Sequence, residues 1–311
     1  MMSRAFVGAL VVGAIGLLIA ATVWTLRVRL PEVSFKEVPV SEPNASPDSG
    51  RPALRVAIAA MVSPSITKRF YEDLLDVIGD RVGRQTQLIQ RKTYAEVNDL
   101  VENRVVDLAF VCSGPFVQGR DKFGMERLAV PIVDGAPVYY SYILAQAGSR
   151  TKSLAELRGK RFAFTDPDSN TGCLSPRFLL ARMGETPASF FQETFFTHSH
   201  DNSIKAVAEG LADGAAVDSL IYDFLKVSNP ALVSGTVVIH KSAPFGIPPL
   251  VVHPGLDPVL KARLKQVLLT LHQDPATRRL LDGLRVERFV EGDDQLYASI
   301  REMQAWIATR D

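Results

Sequence analysis

The chain has 311 residues, enough for two lobes once a leader is set aside. Its 35 Lys and Arg nearly balance 34 Asp and Glu, so no basic excess predicts a nucleic-acid partner or binding to an anionic membrane surface. The only two cysteines, Cys112 and Cys173, form no CxxC pair, which argues against a structural zinc site, and we predict neither a metal nor a cofactor.

The N-terminal region contains a long uncharged stretch. Phe6 to Leu26 carries no charged residue and has about the length that crosses a bilayer as a helix. It is longer than the ~7–15-residue core of a signal peptide, although Ala20-Ala21 could still support cleavage. We predict that residues 1–29 are a signal peptide or a membrane anchor, with the anchor favoured, and that residues 30–52 are a linker rich in proline and serine.

Strands and helices alternate at the start of the globular body. The predicted strands are Leu54–Ala59, Thr86–Ile89 and Val106–Val111, and the predicted helices are marked by the apolar spacing of Phe70–Ile78 and Tyr94–Val101. This alternation predicts an α/β lobe with a mostly parallel sheet.

A second set of elements follows the strand Val138–Ala145, which is predicted to leave the first lobe and enter the second. The set comprises a short helix Lys152–Arg158, strands Arg161–Phe164, Phe195–Asp201, Gly214–Val217 and Val237–Ile239, and a helix Ile204–Leu211. Leu250–Val252 is predicted to return to the first lobe, and the rest to be mainly helical. The predicted lobes are residues 53–142 with 250–311, and residues 143–249.

The segment Phe164–Arg177 has the pattern of an anion-binding turn. A strand leads into Ser169, Asn170, Thr171 and Gly172, and helical apolar spacing begins at Leu174. Free backbone N–H groups at a helix N-terminus, together with hydroxyl donors, favour a bound anion. A plain capped turn between a strand and a helix is the alternative.

An internal similarity relates two parts of the chain. Val101–Ser113 and Val207–Ser219 align without a gap, and each reads as a helix end, a turn at Asp, a buried strand and a polar pair. Ligands of open α/β sheets bind beyond the carboxyl ends of strands. The similarity therefore predicts that Cys112 and Asp218 face one cleft from two lobes, with chance likeness of two strand–helix units as the alternative.

From Leu54 onward the chain resembles the periplasmic phosphonate-binding family of ABC transporter solute-binding proteins, which take phosphonate, phosphate or phosphite. The likeness is carried by VDLAFVCSGPFV (Val106–Val117), TDPDSNTGCLSP (Thr165–Pro176), HDNSIKAVAEGLADGAAVDS (His200–Ser219) and FGIPP (Phe245–Pro249). The resemblance implies an α/β, two-lobed periplasmic-binding-protein fold (type II) with a two-strand hinge and a ligand in the cleft. It implies a periplasmic location, either free or tethered to the inner membrane by the N-terminal helix.

The same resemblance implies particular ligand-binding residues. Ser169, Asn170 and Thr171 stand where the family's hydroxyl-rich loop holds the anion, and His200 and Asp218 match positions that approach it from the second lobe. We extend the predicted site to Gly172 and Cys173 beside that loop, and to Cys112 and Ser113 at the end of the first-lobe strand. The sequence departs from the family pattern at both cysteines. Family members often have an aromatic residue at the position of Cys173, and often have only glycine and proline at the strand end that carries Cys112 here.

Asp218 has a specific consequence for the ligand. A carboxylate only accepts hydrogen bonds, so beside an oxyanion it favours a ligand that carries an O–H proton. A helix N-cap role is the alternative for Asp218, and a surface or capping role is the alternative for His200.

The two cysteines leave three readings open. In the first, both cysteines are buried free thiols. In the second, they form a Cys112–Cys173 disulfide, which export of the chain would permit. In the third, they are soft ligands for a thiophilic centre such as trivalent arsenic. The last reading has support in the resemblance, because some relatives are periplasmic arsenite-binding proteins that signal to a histidine kinase.

The sequence favours a binding protein over an enzyme. An enzyme would pair Cys112 or Cys173 as nucleophile with His198 or His200 as base, but neither cysteine lies in a known nucleophile signature. We predict a non-enzymatic protein that binds a small oxyanion and works with an ABC transporter permease or a sensor histidine kinase. A purely structural, membrane-tethered partner is the third class.

Overall fold

The computed structural model describes residues 50–309, except for the side chains of residues 64–70. The predicted leader, residues 1–29, and nearly all of the predicted linker, residues 30–52, lie outside the described residues. Within the described part, no helix is both long enough and apolar enough to cross a membrane.

The chain forms thirteen described strands in two main sheets and a ribbon. The strands are β1 Ala53–Ile58, β2 Gln85–Gln90, β3 Leu108–Phe110, β4 Glu126–Ile132, β5 Val138–Tyr139, β6 Ser141–Gln146, β7 Arg161–Phe164, β8 Glu193–Phe196, β9 Gly214–Asp218, β10 Thr236–Lys241, β11 Phe245–Gly246, β12 Leu250–Val252 and β13 Arg288–Val290.

Helices connect most of these strands. They are α1 Pro64–Val82, α2 Tyr94–Glu102, α3 Ser113–Phe123, α4 Ser175–Arg182, α5 Pro187–Phe190, α6 His200–Ala208, α7 Ser219–Ser228, α8 Pro230–Ser234, α9 Pro258–Thr270, α10 Pro275–Gly283 and α11 Ala298–Ala308. A π-helical turn, Asn170–Leu174, precedes α4, and short 3-10 turns span Leu154–Leu157, Leu271–Gln273 and Asp294–Tyr297.

The first sheet has the strand order β13-β4-β12-β3-β1-β2, and the second has the order β10-β6-β9-β7-β8. Strands β1, β2 and β3 are mutually parallel, as are β7, β8 and β9, while β12, β13, β6 and β10 supply antiparallel pairings. The chain passes between the sheets twice, through β5 and β11, which pair with each other. We call β5 and β11 the hinge ribbon.

Helices cover both faces of the first sheet because β1 is apolar on both faces. Leu54, Val56 and Ile58 pack in one cluster with side chains of α1, α9 and α10. Ala57, from the opposite face, packs in another cluster with side chains of α2, α3 and α11. Such two-sided burial is what a parallel sheet requires, and it holds the ends of β1, β2 and β3 in place.

Most of the predicted strands are confirmed, and the exceptions have local causes. The strand predicted over Phe195–Asp201 is wrong at its end, since β8 stops at Phe196 and α6 begins at His200. His198 adopts a left-handed φ of 61°, which breaks the strand, and the Ser199 side chain then accepts the N–H of Asn202 as a helix cap.

Four further elements differ from the sequence analysis. The strand predicted over Val138–Ala145 is interrupted, because β5 ends at Tyr139 and β6 begins at Ser141. The predicted helix start at Leu174 is preceded by the π-helical turn from Asn170. The helix α3 and the strand β4 are absent from the sequence prediction.

The internal similarity is confirmed as a structural repeat, anchored by two equivalent ion pairs. Asp107 accepts the backbone N–H of Arg55 at 2.9 Å and pairs with its guanidinium at 2.8 Å. Asp213 accepts the N–H of Arg161 at 3.0 Å and pairs with its Nε at 3.3 Å. Each Asp lies 52 residues after its Arg, so the two lobes begin with the same strand-to-strand clamp.

We predict that Asp107→Ala lowers stability more than Asp213→Ala. The Asp107 side chain is only 9% exposed, whereas that of Asp213 is 39% exposed and already hydrated. Removing the buried acceptor should cost about 1–3 kcal/mol, and removing the exposed one about 1 kcal/mol or less. Urea unfolding midpoints measure the difference. Asp282→Ala, in an exposed pair with Arg278, is the control and should change little; equal losses for Asp107 and Asp213 would contradict the prediction.

Candidate functional site

The predicted anion-binding turn lies at the carboxyl end of β7. Ser169 caps the π-helical turn, and its Oγ accepts the N–H of Gly172 at 3.0 Å. Gly172 is needed for packing, because a Cβ there would lie 2.5 Å from the side chain of Thr165. The turn therefore packs directly on the strand that precedes it, and this fixes the direction of its first residues.

Asn170 and Thr171 occupy the centre of this turn and are completely buried. The C=O of Thr171 accepts the hydroxyl of Ser141 at 2.6 Å, and Nδ2 of Asn170 donates to the Tyr139 hydroxyl at 3.1 Å. Their remaining polar atoms, Asn170 Oδ1 and Thr171 Oγ1, are buried and have no hydrogen-bond partner within residues 50–309. Buried polar atoms are nearly always paired, so these two indicate a missing ligand or solvent.

Cys112 and Ser113 approach the turn from the first sheet. Cys112 follows β3, precedes α3, and places its buried Sγ 3.8 Å from the Tyr139 hydroxyl, with the N–H groups of Asn170 and Gly114 directed at the sulfur. Burial raises the pKa of the thiol to about 11 despite these donors. The Ser113 hydroxyl donates to the C=O of Gly246 at 2.6 Å, so it fastens the hinge ribbon.

His200 begins α6 and is completely buried. Its Nδ1 accepts the backbone N–H of Asp218 at 3.1 Å, and burial lowers its pKa to about 3, so the imidazole is neutral and carries its proton on Nε2. Nε2 lies 3.4 Å from the hydroxyl of Tyr94. The tautomer is thus fixed, with an N–H donor directed toward Tyr94.

Asp218 combines the two roles that the sequence left open. Its Oδ1 caps α7 by accepting the N–H of Leu220 at 2.7 Å. Its Oδ2 is buried with no partner in the described part of the chain, and burial raises the pKa of the carboxyl group to about 7. One oxygen caps the helix, and the other makes no hydrogen bond within residues 50–309.

The two sides of the cleft are in direct contact. Tyr94 donates its backbone N–H to Asp166 Oδ2 at 3.2 Å, and His200 donates its N–H to the C=O of Met61 at 3.0 Å. Ser63 donates its N–H to Asp201 Oδ1 at 2.9 Å. The conformation is therefore closed, and the turn meets Cys112 directly.

Sequence reasoning missed Tyr94 and Tyr139, which contact His200, Asn170 and Cys112. A signal for Tyr94 exists, because it follows the helix-capping Thr93 after β2 just as His200 follows the helix-capping Ser199 after β8. Extending the internal similarity toward the N-terminus would have found it. The sequence contains no comparable indication for Tyr139, because the orientation of its side chain depends on the pairing of β5 with β11.

Cys173 lies apart from the other predicted site residues. It packs in an apolar cluster of the second sheet with Phe162, Phe164 and Leu180, and burial raises the pKa of its thiol to about 12. Both cysteines are free thiols, so the disulfide reading is not realised in this conformation. His200 contacts Tyr94 and Asp218, whereas Cys112 contacts Tyr139, so the two do not form the thiol–imidazole pair of a nucleophilic enzyme.

The buried His200 and Asp218 should give opposite pH dependences of stability. The pKa of His200 falls from 6.5 to about 3, so the unfolded chain binds more protons in this range and stability rises with pH. The pKa of Asp218 rises from 3.8 to about 7, so the folded chain keeps the extra proton and stability falls with rising pH. Each slope reaches about 1.4 kcal/mol per pH unit, and between about pH 4 and 6.5 they cancel.

We predict that single substitutions separate these slopes in the ligand-free protein. Compared with the wild type, Asp218→Asn should give a Tm that rises more steeply with pH from about pH 4 to 6.5, because the opposing carboxyl dependence is removed. His200→Gln should give a Tm that falls over the same range. Thermal unfolding measured at half-unit pH steps tests both variants, and parallel profiles in the two would contradict the assignment.

Comparison with protein families gives a match over most of the described chain. Residues 56–297 match the family model described as ABC transporter, phosphonate, periplasmic substrate-binding protein. The phosphate-import protein PhnD of Mycolicibacterium smegmatis is 31% identical over 194 residues, covering 58% of this chain and 60% of that relative. The phosphonates-binding periplasmic protein of Escherichia coli is 24% identical over 256 residues, covering 81% of this chain and 75% of that protein.

Solved structures share the fold. A binding protein component of an ABC phosphonate transporter from Pseudomonas aeruginosa superimposes with a TM-score of 0.78 at 24% identity, covering 82% of this chain and 86% of that one. PhnD1 of Prochlorococcus marinus, in complex with methylphosphonate, gives a TM-score of 0.75 at 18% identity, covering 82% and 98%. The predicted α/β, two-lobed periplasmic-binding-protein fold (type II) is confirmed. With the family model matching residues 56–297, the chain belongs to the periplasmic phosphonate-binding proteins of ABC transporters.

Proposed function

We propose that this protein binds a small phosphorus oxyanion (phosphonate, phosphate or phosphite) in the cleft and delivers it to an ABC transporter permease. The observation that carries the proposal is a set of three buried oxygens at helix N-termini that have no hydrogen-bond partner among the described residues: Asn170 Oδ1, Thr171 Oγ1 and Asp218 Oδ2. We assign the two lobes that form the cleft to residues 53–142 with 250–311, and residues 143–249. The names of the relatives, which include phosphate, phosphonate and phosphite binders, support the same ligand class.

The donors around this position are neutral. The Thr171 hydroxyl can donate, and the Asn170 amide can turn its NH2 toward the ligand because the Tyr139 hydroxyl both donates and accepts. The Tyr94 hydroxyl, which accepts the Nε2 proton of His200, can donate its own proton and adds a further neutral donor. Neutral donors hold an anion without the strong attraction of a Lys or Arg side chain, which suits a ligand that must be released.

Asp218 selects the protonation state of the ligand. When ionised it accepts a P–OH proton, and with a pKa near 7 it also takes up a proton itself and donates to a phosphoryl oxygen. In both cases one proton lies between Asp218 and the ligand. While Asp218 is ionised, the preferred ligand therefore carries a P–OH proton, and a fully ionised tetrahedral anion such as sulfate is rejected because it supplies no proton.

We predict that Thr171→Val weakens binding of methylphosphonate and phosphate by about five- to 160-fold. The substitution keeps the shape of the side chain and removes one buried donor, a change worth about 1–3 kcal/mol. Isothermal titration calorimetry on the intact protein measures the loss, with sulfate as the ligand expected not to bind. Thr194→Val, at an exposed position of β8, is the matched control and should bind as the wild type does. Unchanged binding in Thr171→Val would overturn the proposed site.

Arsenite is the second candidate, favoured by one observation. The Cys112 thiol lies in the cleft with two backbone N–H groups directed at its sulfur, where a thiolate formed on metalloid binding would be stabilised. Because Cys173 packs in the apolar cluster of the second sheet, capture would rest on Cys112. In this form the protein would signal to a sensor histidine kinase, and a tether through residues 1–29 to the inner membrane would suit that role.

We predict that Cys112→Ser leaves oxyanion affinity within about threefold of the wild type, because a hydroxyl can replace the thiol beside Tyr139. Cys173→Ser is the matched control. Titrations with methylphosphonate and with arsenite distinguish the two candidates. Arsenite binding that is lost in Cys112→Ser and kept in Cys173→Ser, with no phosphonate binding in the wild type, would replace the first proposal with the second.

A further inference from the structure

The cleft continues beyond Asp218 into a cavity of about 340 Å³. On the first sheet it lies over the end of β4 and the starts of β12 and β13, and on the second sheet over the start of β6 and the end of β10. The anion-binding turn lies over β7, next to β9, and faces the ends of β1, β2 and β3. The strand order thus divides one cleft into a closed polar half and an open half.

The open half is predominantly apolar and aromatic. Its walls include Tyr71, Tyr140, Tyr142, Phe224, Leu250 and Phe289. A pocket of this size and composition is typical of sites for organic molecules. At about 30 Å³ per water molecule the space corresponds to roughly ten waters, far more than inorganic phosphate or a methyl group requires.

Apart from Asp218, the charged side chains named here already contact neighbouring groups. Arg285 donates to the C=O of Asp223 at 3.1 Å and pairs with Asp134 at 3.2 Å. Lys241 places Nζ 3.6 Å from the centre of the Tyr140 ring. Tyr142 donates its hydroxyl to Asp223 Oδ2 at 3.2 Å. Away from Asp218, the wall therefore offers an occupant mainly apolar and aromatic surface, which favours an uncharged apolar group.

Two residues belong to both halves of the cleft. Asp218 lines the cavity, and its backbone N–H binds His200. Met61 also lines the cavity, and its C=O accepts the N–H of His200. Asp218 and Met61 thus form the boundary between the anion-binding turn and the cavity, so the substituent of a ligand whose oxyanion meets Asp218 Oδ2 lies next to the cavity.

We propose that the ligand is an organophosphonate with an uncharged alkyl or arylalkyl substituent, and that this substituent occupies the cavity beside Asp218. The inference rests on the proposed function, since the phosphoryl group must sit at Asn170 and Thr171 for the substituent to enter. It names the substrate class within that function and assigns specificity to the cavity wall.

A ligand series tests the inference on the intact protein. Titration calorimetry with methyl-, butyl- and benzylphosphonate should show affinity rising about fourfold for each methylene group that enters the cavity, so that butylphosphonate binds tens of times tighter than methylphosphonate. Equal or weaker binding of the longer ligands, with methylphosphonate still bound, overturns the inference and leaves the proposed function standing. Absence of binding by every member overturns both.

A cavity-filling variant tests the assigned location. Ala136 lines the cavity. Ala136→Phe should lower the affinity for butyl- and benzylphosphonate at least tenfold and leave the affinity for methylphosphonate unchanged. Ala147→Phe places the same side chain at an exposed position away from the cavity. This control should bind methyl-, butyl- and benzylphosphonate with the affinities of the wild type. An Ala136→Phe protein that melts as the wild type does and retains the full preference for longer ligands would overturn the location.

Discussion

The free N–H groups of helix N-termini, brought together between the two lobes, are the constraint on which the rest of the structure depends. Several of these groups donate hydrogen bonds across the cleft. The backbone N–H of Tyr94 donates to the Asp166 carboxylate, that of His200 to the C=O of Met61, and that of Ser63 to the Asp201 carboxylate. Each such bond is worth only about 1 kcal/mol, but an unmet buried donor or acceptor costs more. Closure pairs these backbone groups, while three side-chain oxygens at the same helix N-termini have no hydrogen-bond partner within the described residues.

The structural repeat explains why this convergence occurs. Each lobe begins with a strand clamped by an Arg–Asp pair, then presents a capped helix opened by Tyr94 or His200, and then an N-cap at Cys112 or Asp218. Facing each other, the two copies place Tyr94 against His200 at 3.4 Å. The copies differ in chemistry at equivalent places, so the cleft has a thiol on one side and a carboxyl group on the other.

The strand order gives the cleft two environments. Parallel strands β1–β3 and β7–β9 end in helix N-termini, which are polar and donate hydrogen bonds. The antiparallel parts of the two sheets reach the same edge without helix N-termini. They are formed by β4, β12 and β13 in the first sheet and by β6 and β10 in the second, and they expose tyrosine, phenylalanine, leucine and proline to the cavity. A phosphoryl group fits the first environment and an apolar substituent fits the second.

Local sequence patterns predicted much of the fold and part of the candidate site. Apolar runs and capping residues identified β1, β2, β7 and β9, and the small polar run at Ser169–Gly172 identified the turn. The same patterns failed where a single backbone angle decides the outcome. At His198 a left-handed φ ends a strand that its residue types would continue. The helix α3 was missed because its first residues, Ser113-Gly114-Pro115, read as a turn.

The sequence by itself determined that the chain is an α/β protein with two related lobes, because hydrophobic periodicity and the internal similarity can be read from short segments of the chain. Only the tertiary structure decided that Cys112 lies in the cleft while Cys173 lies in an apolar core, and that Asp218 keeps one oxygen unpaired. These outcomes depend on which surfaces pack together across the hinge ribbon. Contacts between residues far apart in the chain set the burial, and burial sets the pKa of a carboxyl group or a thiol.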